Sequence, residues 1–322
     1  MTENSRQKAN AWSYPRHRYF EQSLRRSASA WFKKKGYATD GRYPHRLSEW
    51  NEWPSNILLA DVVAYVRGEC KGREKSAAGF PLHNNLHNGL SSQAMLFNLV
   101  GPLIVRKDLE PLSVAFSRTR VPFPEATSAA TFEIEDRAVL HEDYGQPTSI
   151  DLVIEGDSAS PGLFIEAKLV EREFGGCSVF SDGDCEGRNP ASDFDLCYLH
   201  YVGRTYWTRL VEFGFLQGGL KEGPICPLAM YYQFFRELLF ALAKGGYFVL
   251  LYDNRNPVFY RDGDRGPRGL VPFLIALVPT TQQDKIRGVT IQDVVQAIKE
   301  SGRHGDWIGE FESKYGMTGE TK

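Results

Sequence analysis

The chain has 322 residues, 38 Lys and Arg against 40 Asp and Glu, a formal net charge of −2 and 42% hydrophobic residues. That balance excludes a molecule drawn to nucleic acid by its overall field, so any polyanion contact has to come from local basic patches. The length predicts about two domains or one core with insertions; no apolar run reaches membrane-span length and the polar start MTENSRQKAN has no signal-peptide core, so a cytoplasmic protein is expected.

Residues 1–87 read as a basic, aromatic helical extension. Between Met1 and Trp50 eleven Lys and Arg face four acids, and Trp31, Phe32 and Tyr37 flank Lys33, Lys34 and Lys35. Cations beside rings suit phosphate contact and base stacking. The same composition also suits an amphipathic layer whose rings pack inward, so Lys33, Lys34 and Lys35 are candidate DNA contacts rather than assigned ones. Residues 56–70 have helical period, with Leu58, Val62, Val63 and Val66 on one stripe. His83 and His87 follow, four apart in HNNLHNG, with no carboxylate or third histidine nearby. Asn and Gly mark a loop there, not a metal site, with His87 in a turn that could face a cleft.

LSSQAMLFNLVGPL reads as a helix capped by Ser91 or Ser92 and ended by Pro102, with Gln93 on its first turn. Residues 130–140 alternate and predict a strand on which Glu133 and Glu135 share a face, expected to be exposed, although one of them could be a further acid near a metal. Two further strands are expected at Ser149 to Glu155 and Leu163 to Val170, joined by a turn rich in Gly, Asp, Ser and Pro. A symmetric turn puts Asp151 opposite Glu166. Alternation then gives Glu166 and Lys168 a common face and turns Leu163, Ile165, Ala167 and Leu169 to the other.

Four of the five cysteines, Cys177, Cys185, Cys197 and Cys226, fall in the stretch that follows. Reduced thiols clustered in this way suggest a thiolate metal site, Zn²⁺ or an iron–sulfur cluster such as [4Fe–4S], although without a CxxC pair they also fit separate core thiols. Residues 230–244 predict a helix with Met230, Phe234, Leu238 and Leu242 on one face and Gln233 and Arg236 on another side. YFVLLYD then reads as a buried strand, reached by a right-handed parallel crossover. A loop with Arg255, Arg261, Arg265 and Arg268 could touch phosphates. VPFLIALVP reads as another buried strand, Thr290 and Asp293 open a helix, and residues 303–322 form a tail with one short helix.

Asp151 with Glu166-Ala167-Lys168, in a predicted order of helix, three strands, helix and strand, resembles the PD-(D/E)XK nuclease superfamily. SSQA, EAK, the four cysteines ending in Cys-Pro and YYQFFRELLFA resemble bacterial stand-alone restriction-endonuclease-like proteins. The resemblance implies an α/β fold with an αβββαβ core, a mixed central sheet flanked by helices. The boundaries would be an extension at 1–87, a core at 88–302 with a cysteine-rich insertion at 172–229, and the tail. It implies a Mg²⁺- or Mn²⁺-dependent DNA endonuclease, a phosphodiester hydrolase of restriction or defence. Asp151, Glu166 and the Ala167 carbonyl would hold the metal and Lys168 would serve the attacking water, with Gln93 and Gln233 in support and Arg236 and Arg255 on DNA. Gln93 departs from the pattern, since an acid often stands there. A repair-type exonuclease, a structure-specific nuclease and a non-catalytic DNA-binding module are the alternatives. Cutting both strands calls for a pair of sites, so a homodimer is one expected state beside the monomer.

Overall fold

The computed structural model describes residues 13–74, 79–124, 129–156, 160–264 and 266–318. Four helices come first: α1 (Ser13–Lys35), α2 (Ala60–Arg73), α3 (Ser92–Val105) and α4 (Glu110–Arg118). The strands β1 (Ala130–Glu135), β2 (Ser149–Ile154) and β3 (Leu163–Lys168) follow. An irregular stretch with α5 (Tyr206–Glu212) leads to α6 (Pro227–Ala243) and β4 (Tyr247–Tyr252). The chain closes with α7 (Leu270–Ala276), β5 (Ile286–Thr290), α8 (Ile291–Ser301) and α9 (Ile308–Lys314).

The five strands form one mixed sheet in sequence order, β1-β2-β3-β4-β5. β1, β2 and β3 pair antiparallel, while β4 and β5 run parallel to β3. Parallel neighbours need a long crossover, which the stretch ending in α6 supplies between β3 and β4. Alternation along β3 divides the sheet as expected. Leu163, Ile165, Ala167 and Leu169 enter a core built with α1 to α4, α8 and α9. Phe164 and Phe248 enter a second core with Phe234, Phe235, Leu238 and Phe240 of α6. Each such side chain withdrawn from water contributes about 1.5–3 kcal/mol before entropy is counted.

Two expectations are corrected. VPFLIALVP is not a strand, because residues 270–276 form α7, with Val271 and Leu274 inward. The fifth strand is the less apolar IRGVT at Ile286–Thr290. A short apolar run has no period that separates strand from buried helix. Pro102 does not end α3, which continues to Val105 with Leu99, Val100 and Leu103 fully buried around it. The terminal segments join the core: Phe20 and Leu24 of α1 and Trp307, Phe311 and Tyr315 near the end pack with Leu163 and Ile165.

His17 ties α1 to the end of the sheet. Its Nε2–H donates to the Val170 carbonyl at 2.7 Å and its Nδ1 accepts from Arg172 Nε at 3.1 Å. Burial, the largest cause, holds its pKa below the ordinary 6.5. A depressed histidine pKa means that the unfolded chain takes the proton first, so this contact stabilises above 6.5 and is lost as pH falls below it. The melting-temperature advantage of the protein over His17→Gln is therefore expected to shrink as pH falls below 6.5, a comparison that thermal scans across the acid range would make.

Candidate active site

Three carboxylates line up across β1, β2 and β3. The β1–β2 register pairs Phe132 with Leu152 and Ile134 with Ile150, which sets Glu133 opposite Asp151. The β2–β3 register pairs Leu152 with Ile165, and one step further sets Asp151 opposite Glu166. All three then share a face, with Lys168 two residues beyond Glu166 on the same side. The predicted hairpin holds. The exposed face expected for Glu133 does not: its side chain is buried, and its backbone takes a left-handed φ of 53°, a costly conformation for a residue with a side chain.

Each acid has specific partners. The Ala167 backbone N–H donates to Asp151 Oδ2 at 2.8 Å. Gln93 Nε2 donates to Glu133 Oε1 at 2.7 Å and Ser149 Oγ to Glu133 Oε2 at 3.0 Å. Gln93 is itself held by the Pro81 carbonyl and the His83 N–H. Lys168 Nζ lies 2.7 Å from Glu166 Oε1. Gln233 of α6 bridges that pair, donating through Nε2 to Glu166 Oε1 at 2.7 Å and accepting from Lys168 Nζ at 2.9 Å. Glu237, one turn along α6, is buried with its Oε2 unpartnered. Gln93 thus occupies the helix position where an acid was expected and carries the acid of β1 instead.

Burial and mutual repulsion shift these groups. Glu133 is pushed up to about 8, chiefly by burial and then by Glu166. Asp151 is raised well above the carboxylate range by burial, by Glu166 and by Glu133. Glu237 is raised by burial and by Glu166. Burial opposes the charge of Lys168, but Glu166, Glu237 and Glu171 outweigh it and keep Lys168 protonated. One ammonium thus faces four carboxyls, of which Glu133, Glu166 and Glu237 are buried and Asp151 is half-buried. Clusters of shifted groups in a cleft are characteristic of functional sites. The cleft measures about 550 Å³, and its polar wall also includes His83, Asn84, Gln146 and Arg236. Arg236 lies with its guanidinium 4.9 Å over the Tyr232 ring and its Nε buried without a partner.

Other candidates fall elsewhere. Lys33 and Lys34 are exposed at the end of α1, and Lys35 is paired with Glu310 at 2.5 Å. At 1.5 Å per residue they stand about 24–27 Å along α1 from His17, the point where that helix meets the strand end. Phe20, Trp31 and Phe32 are buried, so these rings serve packing and not base stacking. Arg255 is also corrected. It donates to both Asp253 oxygens and to the Tyr315 and Gly316 carbonyls, pinning the β4 loop to the C-terminal segment. Arg255→Ala is expected to lower stability by about 1.5–3 kcal/mol in denaturant titration, with DNA affinity unchanged in a binding assay. Arg261 and Arg268 pair through their backbones, and Arg265 lies outside the described residues.

Cys177, Cys185, Cys197 and Cys226 line one small cavity together, away from this cleft, while Cys70 stands apart on α2; all five are free thiols. As the side chains stand, no three His, Cys, Asp or Glu groups among the described residues are gathered tightly enough to hold a metal ion. Sequence reasoning did not single out Glu237, and it preferred the exposed reading for Glu133. The register sum that paired Asp151 with Glu166 would have reached Glu133 had β1 been aligned, and Glu237 lies one helical turn after Gln233.

Comparison with known families matches residues 25–316 to REase-ARP, described as Restriction Endonuclease associating with ARP. The chain belongs to the REase-ARP family. Membership gives the coarse function, a nuclease or defence role with DNA as the implied substrate. No curated protein and no solved structure matches the chain. Among the described residues no helix is long and apolar enough to cross a membrane.

Proposed function

We propose that this REase-ARP protein is a metal-dependent DNA endonuclease of the PD-(D/E)XK kind, with Asp151, Glu166 and Lys168 at its centre. The observation that carries the reading is the row of Glu133, Asp151 and Glu166 across three strands, with one lysine beside it in an open polar cleft. The donor set fits a hard cation. It is made of carboxylate oxygens, it is short of positive charge, and Glu237 keeps one buried oxygen unpartnered. Asp151 and Glu166, with the Ala167 carbonyl, would hold Mg²⁺ or Mn²⁺, while Glu133 stands in for the acid that Gln93 lacks. When bound, such an ion lowers the pKa of a water and stabilises charge on the phosphate.

The remaining work belongs to the chain. Lys168 is held as an ammonium by Glu166 and Gln233, so it orients the attacking water and neutralises phosphate charge instead of accepting a proton. Gln233 fixes the spacing of Glu166 and Lys168 from above, and Gln93 does the same for Glu133. Arg236, in the cleft wall, supplies a cation for a neighbouring phosphate. The family description adds an associated ARP component, which fits a protein that acts with a partner.

The test is incubation with supercoiled plasmid and with the same plasmid linearised, with Mg²⁺, with Mn²⁺ and with chelator. Metal-dependent nicking or linearisation of the circle supports an endonuclease. Degradation confined to the linear form would replace it with an exonuclease. Binding that survives chelation, with no cleavage under either metal, would sink the enzymatic reading.

A further inference from the structure

The cysteine cavity lies outside the cleft, and the proposed nuclease chemistry makes no use of it. Its four thiols come from separate places: Cys177 before a one-turn helix at Ser178–Ser181, Cys185 on the loop beyond, Cys197 before a second one-turn helix at Tyr198–Tyr201, and Cys226 at the N-cap of α6. They nonetheless line one cavity, together with Val179, Phe180, Leu228 and Ala229. Four sulfurs brought together from such distances along the chain are far more specific than four cysteines in a composition.

The Gly187 N–H donates to Cys185 Sγ at 3.3 Å, a contact of the kind that orients a metal ligand from its outer shell. Burial pushes the Cys177 and Cys226 thiols up, with nearby backbone amides opposing it. Buried thiolates in turn require a cation. Between β3 and α6 no helix exceeds the seven residues of α5, and helices that short depend on tertiary support, which Tyr206, Trp207, Leu210 and Phe215 supply for part of the segment.

We propose that Cys177, Cys185, Cys197 and Cys226 bind a single zinc ion in a closed tetrahedral thiolate site. Closure takes rotation of the cysteine side chains to Zn–S distances of about 2.3 Å. As the side chains stand, the cavity of about 20 Å³ has room for one water-sized body, which one ion would fill. The consequence for the cleft follows from two backbone bonds. The Cys177 N–H donates to the Ala229 carbonyl at 3.2 Å and the Gln233 N–H to the Gly175 carbonyl at 3.1 Å. Between them α6 leaves helical geometry at Tyr231. The zinc would clamp the first turn of α6 to the segment after β3 and so set where Gln233 and Glu237 stand.

The deciding measurement is elemental analysis of the purified full chain, with an absorption spectrum after Co²⁺ replacement under reducing conditions. The expected result is one zinc per chain, and thiolate-to-cobalt charge-transfer bands with the d–d bands of tetrahedral cobalt. Cys70→Ser should keep the zinc, whereas Cys185→Ser and Cys197→Ser, both at partly exposed positions, should lose it. If these variants fail to fold, the metal content and cobalt spectrum of the unaltered protein still decide. Protein that contains no zinc and takes up neither zinc nor cobalt overturns the site. So does brown protein that carries iron and sulfide, or zinc retained in full by both Cys185→Ser and Cys197→Ser.

Discussion

Asp151→Asn is expected to eliminate metal-dependent DNA cleavage while leaving the metal-free protein at least as stable as the parent. Asp151 sits between Glu133 and Glu166 on adjacent strands, and like charges directly opposed across a sheet are destabilising. The asparagine keeps the shape and still accepts from the Ala167 N–H, which Asp151 does at 2.8 Å. It loses the charge that a divalent ion requires, so cleavage should fall by roughly 10³-fold or more. Stability without metal should rise by about 0.5–2 kcal/mol, the usual gain when a functional site gives up its strain.

The sign with pH follows from the same cluster. Glu133, pushed up from 4.5 to about 8, keeps its proton in the folded protein after the unfolded chain has lost its own. Asp151 behaves likewise, its carboxyl raised above 3.8. The native state then binds more protons, so stability is greatest at the acid end of that window and falls as pH rises through it. Without metal, the parent is expected to lose stability between pH 4.5 and about 8, and Asp151→Asn to show a shallower slope. Denaturant midpoints across that range in chelator would measure it, and identical slopes would remove the carboxylate cluster as the cause.

Lys168→Met is expected to abolish cleavage and also to destabilise the fold, by about 3–5 kcal/mol, because it strands Glu166 among buried acids without the cation it is paired with. Adding Glu166→Gln should restore most of that stability, since a neutral pair of similar volume no longer needs compensation, yet restore no cleavage. Chemical denaturation of the two single variants and the double variant closes the cycle. Cleavage retained by Lys168→Met would overturn the role given to the lysine, whatever the stability data show.

The hairpin was legible because its information is local. A period of two with Gly, Asp, Ser and Pro at the turn fixes which side chains share a face, and a slip of one residue would have exchanged the faces, turning Glu166 and Lys168 into the core that Leu163, Ile165 and Leu169 now fill. The start of α8 was legible for the same reason: Thr290 and Asp293 satisfy one another's backbone N–H groups in a capping box. Arg255 misled because a loop arginine reads the same whether it meets a phosphate or the Tyr315 and Gly316 carbonyls. The role of Trp31 and Phe32, which are buried, was not legible, since rings that bury themselves and rings that stack on bases have the same sequence.

By itself, then, the sequence determined the period and pairing of β2 and β3, the helix α6 (though Met230 of its expected apolar face is exposed), the cap of α8 and the presence of four thiols in one stretch. Tertiary structure alone decided that Glu133 completes the acid row, that Glu237 joins it from α6, that IRGVT takes the sheet edge in place of VPFLIALVP, and that the four cysteines meet. The physical reason is range. Backbone period and capping act over a few residues and leave their pattern in the chain, whereas the choice of neighbour across the sheet and between its two cores depends on how all the apolar surface is buried at once.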